Sequence, residues 1–256
     1  VIEVEPASPL TSVGFRFARR PSHTLRRLSG WGIKREQFVG HYDASFEALP
    51  DDSYIYGYWQ SWRYFSPVAD QIRNELQPRF ALSAESRELE GMMAAGNSLS
   101  IHVRRGDYVT SSTINEFHGI LDLDFYATAV RHVQERASNV QAYVFSDDLD
   151  WCREALADLQ LPMTFVDVNR GEDSWQDLFL MAACRHNVVA NSSFSWWGAW
   201  LGDDADRGDR FVIAPKKLFS VADLDVADTS PPTCTLLLFA TVCLPFSCMA
   251  YLVLFL

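Results

Sequence analysis

The chain has 256 residues, 48% of them hydrophobic and 21% charged, and a formal net charge of −11. This size and composition suit one large or two small globular domains with a substantial core, and the negative charge excludes generic binding to nucleic acid. The 5 cysteines show neither a disulfide framework nor paired metal-ligand spacing, so we expect no metal site and a reducing compartment.

Residues 1–90 have a less regular pattern than the rest of the chain. Between Arg16 and Arg35 the charged side chains are all basic; we interpret them as a solvated segment, with contact to an anionic membrane surface or glycolipid as the alternative. Residues 54–65 are rich in aromatic side chains, and residues 67–80 have the apolar spacing of a helix. No secretory signal opens the chain, so we expect a cytoplasmic or membrane-associated protein.

From residue 99 onward, predicted strands alternate with predicted helices. Leu99, Ile101 and Val103 alternate along the first strand, and further strands are predicted at residues 142–145, 163–166 and 211–214. Helices are predicted at residues 124–137, 150–159 and 174–184, and residues 188–201 indicate a strand, a tight loop and a helix. This order predicts an α/β fold with a parallel, doubly wound sheet.

Polar clusters follow three of these strands, at residues 102–107, 146–148 and 191–193. In an open parallel sheet, ligands bind beyond the carboxyl ends of the strands. The sequence therefore predicts that all three clusters line one edge of the sheet. The last cluster, Asn191-Ser192-Ser193, also precedes a helix, and its hydroxyls and the free N–H groups of that helix suit an anion.

Two arginines in the first cluster suit a diphosphate, because a guanidinium matches phosphate oxygens bidentately. Adjacent residues of a strand face opposite sides, so only one of Arg104 and Arg105 is expected to point at the ligand. We favour Arg105 for that contact and expect Arg104 to pair with Asp107 or Asp147. Gly106 would let the ligand approach the backbone closely.

The other polar side chains of these clusters have two interpretations each. Asp107 is either a general base or the partner that fixes an arginine. Asp147 and Asp148 either cap a helix or accept a hydrogen bond from a nucleobase or ribose hydroxyl. His102 is either a hydrogen-bonded core residue or part of the site.

The end of the chain has an unusual composition, because no charged residue follows Asp228 and residues 236–256 are almost wholly apolar. This segment is long enough to span a bilayer as a helix, but Pro245 interrupts it and the nearest basic residues are Lys216 and Lys217. A membrane anchor, a buried terminal segment and an aberrant sequence end are the three interpretations.

Several long motifs resemble those of one family, glycosyltransferase family 11, the α-1,2-fucosyltransferases. They are residues 101–109 (IHVRRGDYV), 144–152 (VFSDDLDWC) and 177–201 (DLFLMAACRHNVVANSSFSWWGAWL). Residues 57–65 (GYWQSWRYF), 213–219 (IAPKKLF) and the HGILDLDFY segment from His118 fit the same pattern. The resemblance covers residues 54–219, and so many motifs in the right order make it far more specific than a lone short motif.

The resemblance implies a GT-B-like fold, in which two Rossmann-like domains enclose a cleft. It implies transfer of L-fucose from GDP-β-L-fucose to the 2-hydroxyl of a terminal galactose, with inversion, no metal and no cofactor besides the donor. Arg105 and Asp107 are the predicted catalytic residues. The predicted donor-binding residues are His102, Arg104, Asp147, Asn191, Ser192, Ser193 and Phe194, with Asp147 near guanosine and the serines near phosphate.

The resemblance also divides the chain. Residues 1–90 are expected to be a remnant of the acceptor-side domain, residues 91–228 the GDP-fucose-binding domain, and residues 229–256 an apolar tail. Family members open with a loop of the type GGLGNQMFQYA, which has no counterpart before Tyr54, so we expect an incomplete N-terminal domain. The alternative functions are transfer of another sugar, GDP binding by a catalytically impaired homologue, and integrin-type recognition through Arg105-Gly106-Asp107; the last is disfavoured because the tripeptide follows an apolar strand.

Overall fold

The computed structural model describes residues 33–37, 39–50, 53–203, 209–220 and 228–237. Near the start of this part, strands β1 (Ile33–Arg35) and β2 (Tyr54–Tyr56) form a two-stranded parallel sheet. Short 3-10 helices lead from there to helix α1 (Ala69–Glu75). The helix predicted at residues 67–80 is therefore too long, because Pro78 disfavours helical backbone at the residue before it.

The central sheet has six parallel strands. They are β3 (Ser98–Val103), β4 (Gln141–Ser146), β5 (Met163–Phe165), β6 (His186–Val188), β7 (Val212–Pro215) and β8 (Cys234–Leu237). Their order in the sheet is β5-β4-β3-β6-β7-β8. The strands that follow β3 in the chain, β4 and β5, lie on one side of it, whereas β6, β7 and β8 lie on the other side. The strand order therefore reverses between β3 and β6, and such sheets bind ligands in the crevice outside the carboxyl ends of the two strands at this point.

Helices cover both faces of this sheet. In chain order they are α2 (Ala84–Ala95), α3 (Gly106–Thr110), α4 (Ser112–His118), α5 (Leu123–Gln134), α6 (Leu149–Ala155), α7 (Trp175–Ala183) and α8 (Ser193–Leu201). On one face, Ile101 of β3 lies in a core cluster with Phe125 of α5 and Cys152 of α6. On the other face, Phe145 of β4 clusters with Met93 and Leu180 from α2 and α7. The predicted α/β, doubly wound parallel sheet is confirmed.

Local sequence explains why these elements form where they do. All six residues of β3 are buried, as expected for a strand with helices on both faces. Helix α5 begins where the Asp122 side chain accepts a hydrogen bond from the Phe125 N–H (2.8 Å), and Asp148 caps α6 through the Trp151 N–H (3.3 Å). The capping alternative for Asp148 is therefore observed, and it fixes the start of α6 next to the ligand edge of the sheet.

Strand β8 was not predicted. It pairs in parallel with β7 in the register Val212–Cys234 to Pro215–Leu237, and Leu237 packs against the core that contains Ile101. The sheet therefore continues past the expected boundary at residue 228, and the first two residues of the apolar segment belong to it. Residues 238–256, the rest of that segment, lie outside the described residues, as do residues 1–32 with most of the basic segment.

Within the described ranges, none of the helices is long and apolar enough to cross a membrane. The described residues before α2 form only the two-stranded sheet and short helices. A second Rossmann-like domain, which a GT-B arrangement requires, therefore stays a prediction. What the fold does establish is a parallel sheet whose carboxyl edge collects the polar clusters.

Candidate functional site

A cleft of about 1310 Å³ opens at the carboxyl edge of the central sheet. The structure brings the three polar clusters together there, as the strand order predicts. The predicted site residues on its wall are His102, Arg104, Asp107, Asp147, Asn191, Ser192, Ser193 and Phe194, and Asp148 lines it as well. Of the residues predicted for the site, Arg105 alone does not line this cleft.

Arg104 is held on the cleft wall by two carboxylates. Its Nη2 atom lies 2.8 Å from Asp107 Oδ1 and its Nη1 atom lies 2.9 Å from Asp147 Oδ2. The other Asp147 oxygen accepts a hydrogen bond from the Arg105 backbone N–H (2.8 Å). Asp147 therefore fixes both the side chain of Arg104 and the backbone that follows β3, and its predicted contact with a nucleoside stays a prediction.

Arg105 does not line the cleft, so the geometry does not favour the ligand contact that the sequence suggested for it. Its side chain is only 15% exposed, and its Nε atom lies 3.1 Å from Asp148 Oδ2. Its guanidinium carbon lies 3.8 Å from the ring centroid of Trp151, in cation–π geometry. Both partners belong to the start of α6, so Arg105 joins the β3 loop to that helix. The geometry favours Arg104 for an anion and a structural role for Arg105.

Asp107 and Gly106 take part in the same arrangement. The ion pair with Arg104 fits the interpretation of Asp107 as the partner that fixes an arginine, although its side chain is still 43% exposed. At Gly106 the close neighbour is Asp147 rather than a ligand: a Cβ atom there would lie 2.7 Å from Asp147 Oδ2. Glycine thus lets the Asp147 carboxylate approach the backbone closely enough to reach Arg104.

The Asn191-Ser192-Ser193 loop leads into α8, which begins at Ser193. The Asn191 side chain donates to the carbonyls of His118 (2.9 Å) and Gly119 (3.0 Å), so it anchors the loop. Ser192 makes no side-chain capping bond. Ser192 and Ser193 line the cleft together with the start of α8, where free N–H groups and the helix dipole favour an anion.

Tryptophans of α8 pack next to this loop, and Trp196 and Trp197 also line the cleft. Phe65 stacks on Trp197 with ring centroids 5.4 Å apart and meets Trp196 and Trp200 edge to face. The Trp196 indole donates to the carbonyl of Thr229 (2.9 Å). The aromatic residues after the serines therefore act mainly in packing, and they join α8 to Phe65, before the sheet, and to Thr229, between β7 and β8.

His102 is buried on the cleft wall with a ring 6.0 Å from that of Phe194. Burial lowers the pKa of His102 to about 4, so the ring is neutral near pH 7. Its Nδ1 atom has no hydrogen-bond partner among the residues described. The core interpretation and the site interpretation thus both hold in part: the ring is buried, and it keeps an unsatisfied polar atom at the cleft.

Two residues on the cleft wall, Asp177 and His118, were not among the predicted site residues. Asp177, at the start of α7, accepts a hydrogen bond from Asn169 Nδ2 (2.8 Å), and burial raises the pKa of Asp177 to about 6. His118, at the end of α4, stacks on Tyr108. Both residues lie in motifs that resemble those of the family. The feature that could have identified Asp177 is a carboxylate in the first turn of an amphipathic helix. Their burial depends on packing between distant segments, which local patterns do not reveal.

The described parts of the chain contain no group of three or more His, Cys, Asp or Glu side chains arranged to hold a metal ion. Chemically, the cleft offers a fixed guanidinium, a helix start with two serine hydroxyls, and buried neutral polar groups. This combination suits a ligand with a phosphate or diphosphate group and a less charged remainder.

Comparison with known proteins identifies relatives of the chain. The sequence profile of the family described as glycosyl transferase family 11 matches residues 24–219. An α-1,2-colitosyltransferase of Escherichia coli is 34% identical over 175 residues, which are 68% of this chain and 59% of the relative. The O-antigen biosynthesis glycosyltransferase WbnK of Escherichia coli is 40% identical over 176 residues, 65% of this chain and 55% of the relative.

A human relative is more distant. Galactoside α-(1,2)-fucosyltransferase 1 of Homo sapiens is 26% identical over 166 residues, which are 62% of this chain and 44% of the relative. The chain spans about half the length of these three curated relatives. The range matched by the family profile includes five of the six strands of the central sheet, β3 to β7, and every predicted site residue.

Proposed function

The chain belongs to glycosyltransferase family 11, and we propose that it transfers L-fucose from GDP-β-L-fucose to the 2-hydroxyl of a terminal galactose. The observation that carries this proposal is the position of Arg104, fixed by two carboxylates on the same cleft as the start of α8. Two anion-binding features on one cleft suit the diphosphate of a nucleotide sugar. The human relative named galactoside α-(1,2)-fucosyltransferase supports the choice of linkage and acceptor.

The proposed reaction is a single displacement. The galactose oxygen attacks C1 of fucose from the face opposite the diphosphate, so the configuration at C1 inverts. The bond between C1 and the phosphate oxygen breaks, and its electron pair leaves with GDP. Positive charge develops on the sugar and negative charge on the diphosphate, so hydrogen-bond donors fixed near the phosphate lower the barrier.

Arg104 meets this requirement in the proposed mechanism. Asp107 and Asp147 hold its guanidinium in place before any ligand binds. A guanidinium has five N–H donors, and those that the carboxylates leave free can bind phosphate oxygens. Because the group is already oriented, little reorganisation is needed as charge develops. The reaction written this way uses no metal and no cofactor besides the donor.

The remaining predicted donor residues have two kinds of role in this proposal. Ser192, Ser193 and the N–H groups at the start of α8 contact phosphate oxygens directly. Asn191 and Asp147 act through their anchoring bonds to the 118–119 backbone and to the Arg104 loop. His102 and Phe194 line the cleft and limit the space open to the sugar or nucleoside.

Transfer of colitose is the second candidate function. The observation that favours it is the relative named α-1,2-colitosyltransferase, which is 34% identical to this chain. Colitose is a fucose that lacks one ring hydroxyl, so the two donors share the GDP portion and differ only at the sugar. Comparing turnover of GDP-fucose with that of GDP-colitose separates these candidates.

The test of the proposed function is a product assay with the full chain. The purified protein is incubated with GDP-fucose and lactose, GDP release is measured, and the product linkage is determined by NMR. We expect release of GDP that depends on lactose, and fucose attached at the 2-hydroxyl of galactose. GDP binding without any transfer from either GDP-sugar would support the impaired homologue and contradict the proposal.

A further inference from the structure

The proposed transfer requires a group that accepts the proton of the acceptor hydroxyl. The attacking galactose hydroxyl must lose its proton as the C1–O bond forms. Asp107 is the predicted base, but its Oδ1 atom lies 2.8 Å from Arg104 Nη2. The position of this carboxylate is therefore set by its ion pair with Arg104 rather than by an acceptor hydroxyl.

His118 lies on the same cleft and is fixed with respect to the anion-binding loop by two independent contacts. Its carbonyl accepts a hydrogen bond from Asn191 Nδ2 (2.9 Å). Its ring stacks on Tyr108, with centroids 4.9 Å apart and planes 12° from parallel, and the Tyr108 hydroxyl donates to the Asn191 carbonyl (3.0 Å). The imidazole therefore has one orientation relative to Asn191 and to α8.

The surroundings of His118 suit a neutral base. Phe117 and Phe219 pack against the ring at 4.8 and 5.4 Å between centroids, and neither carries charge. Burial lowers the pKa of His118 below its usual value, and burial also raises the pKa of Tyr108 to about 12, so both are neutral near pH 7. Arg104 and Asp107 are the charged groups that act on His118, and they oppose each other.

One ring nitrogen of His118 is not engaged by the residues that the structure describes. The Nδ1 atom is buried without a hydrogen-bond partner among those residues. A neutral imidazole has one nitrogen with a lone pair, which can accept a proton near neutral pH. A buried polar atom that stays unsatisfied in the free protein also indicates a site completed by a ligand.

We propose that His118, rather than Asp107, receives the proton of the acceptor hydroxyl. This inference rests on the proposed function. As the acceptor oxygen bonds to C1 of the donor sugar, its proton moves to the free imidazole nitrogen, and the electron pair of the breaking C1–O bond leaves with GDP. The imidazolium is stabilised by the Asp107 carboxylate, and the proton later passes to water. Asp107 keeps its role as the residue that positions Arg104.

The test compares His118→Gln with the full wild-type chain. We expect kcat with lactose to fall about 100-fold, while stabilisation by GDP is unchanged. In the wild type, activity falls as pH decreases through the His118 pKa, because the protonated ring cannot accept a proton; this acidic limb should be lost in His118→Gln. It should persist in Asp177→Asn, which removes a cleft carboxyl group whose pKa burial raises to about 6. His132→Gln, on α5, is the matched control and should keep full activity.

If the His118→Gln variant has the rate and the pH profile of the wild type, the inference is overturned and the proposed function still stands. If the wild type transfers no sugar, the proposed function fails, and an NMR measurement decides the inference separately. Methyl β-D-galactoside is added to the wild-type GDP complex while the ¹⁵N-histidine ring signals are recorded. A shift of the His118 signal supports the inference, and an unshifted signal contradicts it even if His118→Gln fails to fold.

Discussion

A Cβ atom at Gly106 would lie 2.7 Å from Oδ2 of Asp147, closer than a carbon and a carboxylate oxygen can approach. That oxygen is the one that contacts Arg104 Nη1 at 2.9 Å. The absence of a side chain at residue 106 is therefore a condition for the ion pair that holds Arg104 on the cleft wall.

Gly106→Ala tests this condition. The Asp147 carboxylate must move away from Arg104, so we expect the stabilisation by GDP to fall sharply, together with a loss of roughly 1–3 kcal/mol in the free energy of unfolding. Thermal unfolding with and without GDP measures both effects. Gly91→Ala is the matched control, because a Cβ atom there has no neighbour within 4 Å and alanine favours α2 by up to about 1 kcal/mol. Equal GDP responses in the two variants would refute the account of Gly106.

Asn191 is expected to act by anchoring. Asn191→Ala removes both side-chain bonds to the 118–119 backbone and leaves two buried carbonyls with fewer donors. We expect a loss of about 1–3 kcal/mol in the free energy of unfolding and weaker GDP binding, because the serine loop is no longer fixed. Urea unfolding and calorimetric titration with GDP measure these effects. Asn74→Ala, on the exposed surface of α1, should change neither quantity by much.

The pKa of Asp177 predicts a pH-dependent stability difference. Burial raises this pKa from 3.8 to about 6 in the folded protein, so between those values the folded state binds more protons than the unfolded state. The free energy of unfolding contributed by Asp177 therefore falls as pH rises through this window. Asp177→Asn lacks this loss. We expect the free energy of unfolding of the variant to rise relative to that of the wild type between about pH 4 and pH 6, by up to roughly 3 kcal/mol. Above about pH 6 the difference should stay constant. A difference independent of pH would show that Asp177 is ionised without cost in the folded state.

The sheet and the meeting of the polar clusters could be predicted from sequence for a local reason. Strand β3 shows alternating apolar residues and β4 a short apolar run, and polar residues that follow parallel strands must share an edge. The choice between Arg104 and Arg105 could not be predicted, because alternation holds only inside a strand and β3 ends at Val103. Beyond that residue, Asp148 and Trp151 of a distant helix decide which arginine is buried.

The roles of His118 and Asp177 were also beyond local patterns. Their pKa values depend on burial created by contacts such as the Tyr108 ring and the Asn169 amide. Strand β8 overlaps the start of an apolar segment that suggested a membrane anchor, a buried terminal segment or an aberrant end. Its assignment depends on pairing with β7, a contact that composition alone does not indicate.

The central claim is that the cleft binds the diphosphate of GDP through Arg104. Calorimetric titration of GDP into Arg104→Ala and Arg105→Ala tests it most directly, since the two residues are adjacent and only Arg104 lines the cleft. We expect Arg104→Ala to lose most of its GDP affinity. Arg105→Ala should retain it, with only about 1 kcal/mol less stability from the lost contacts to Asp148 and Trp151. Loss of GDP binding in Arg105→Ala with wild-type affinity in Arg104→Ala would contradict the account.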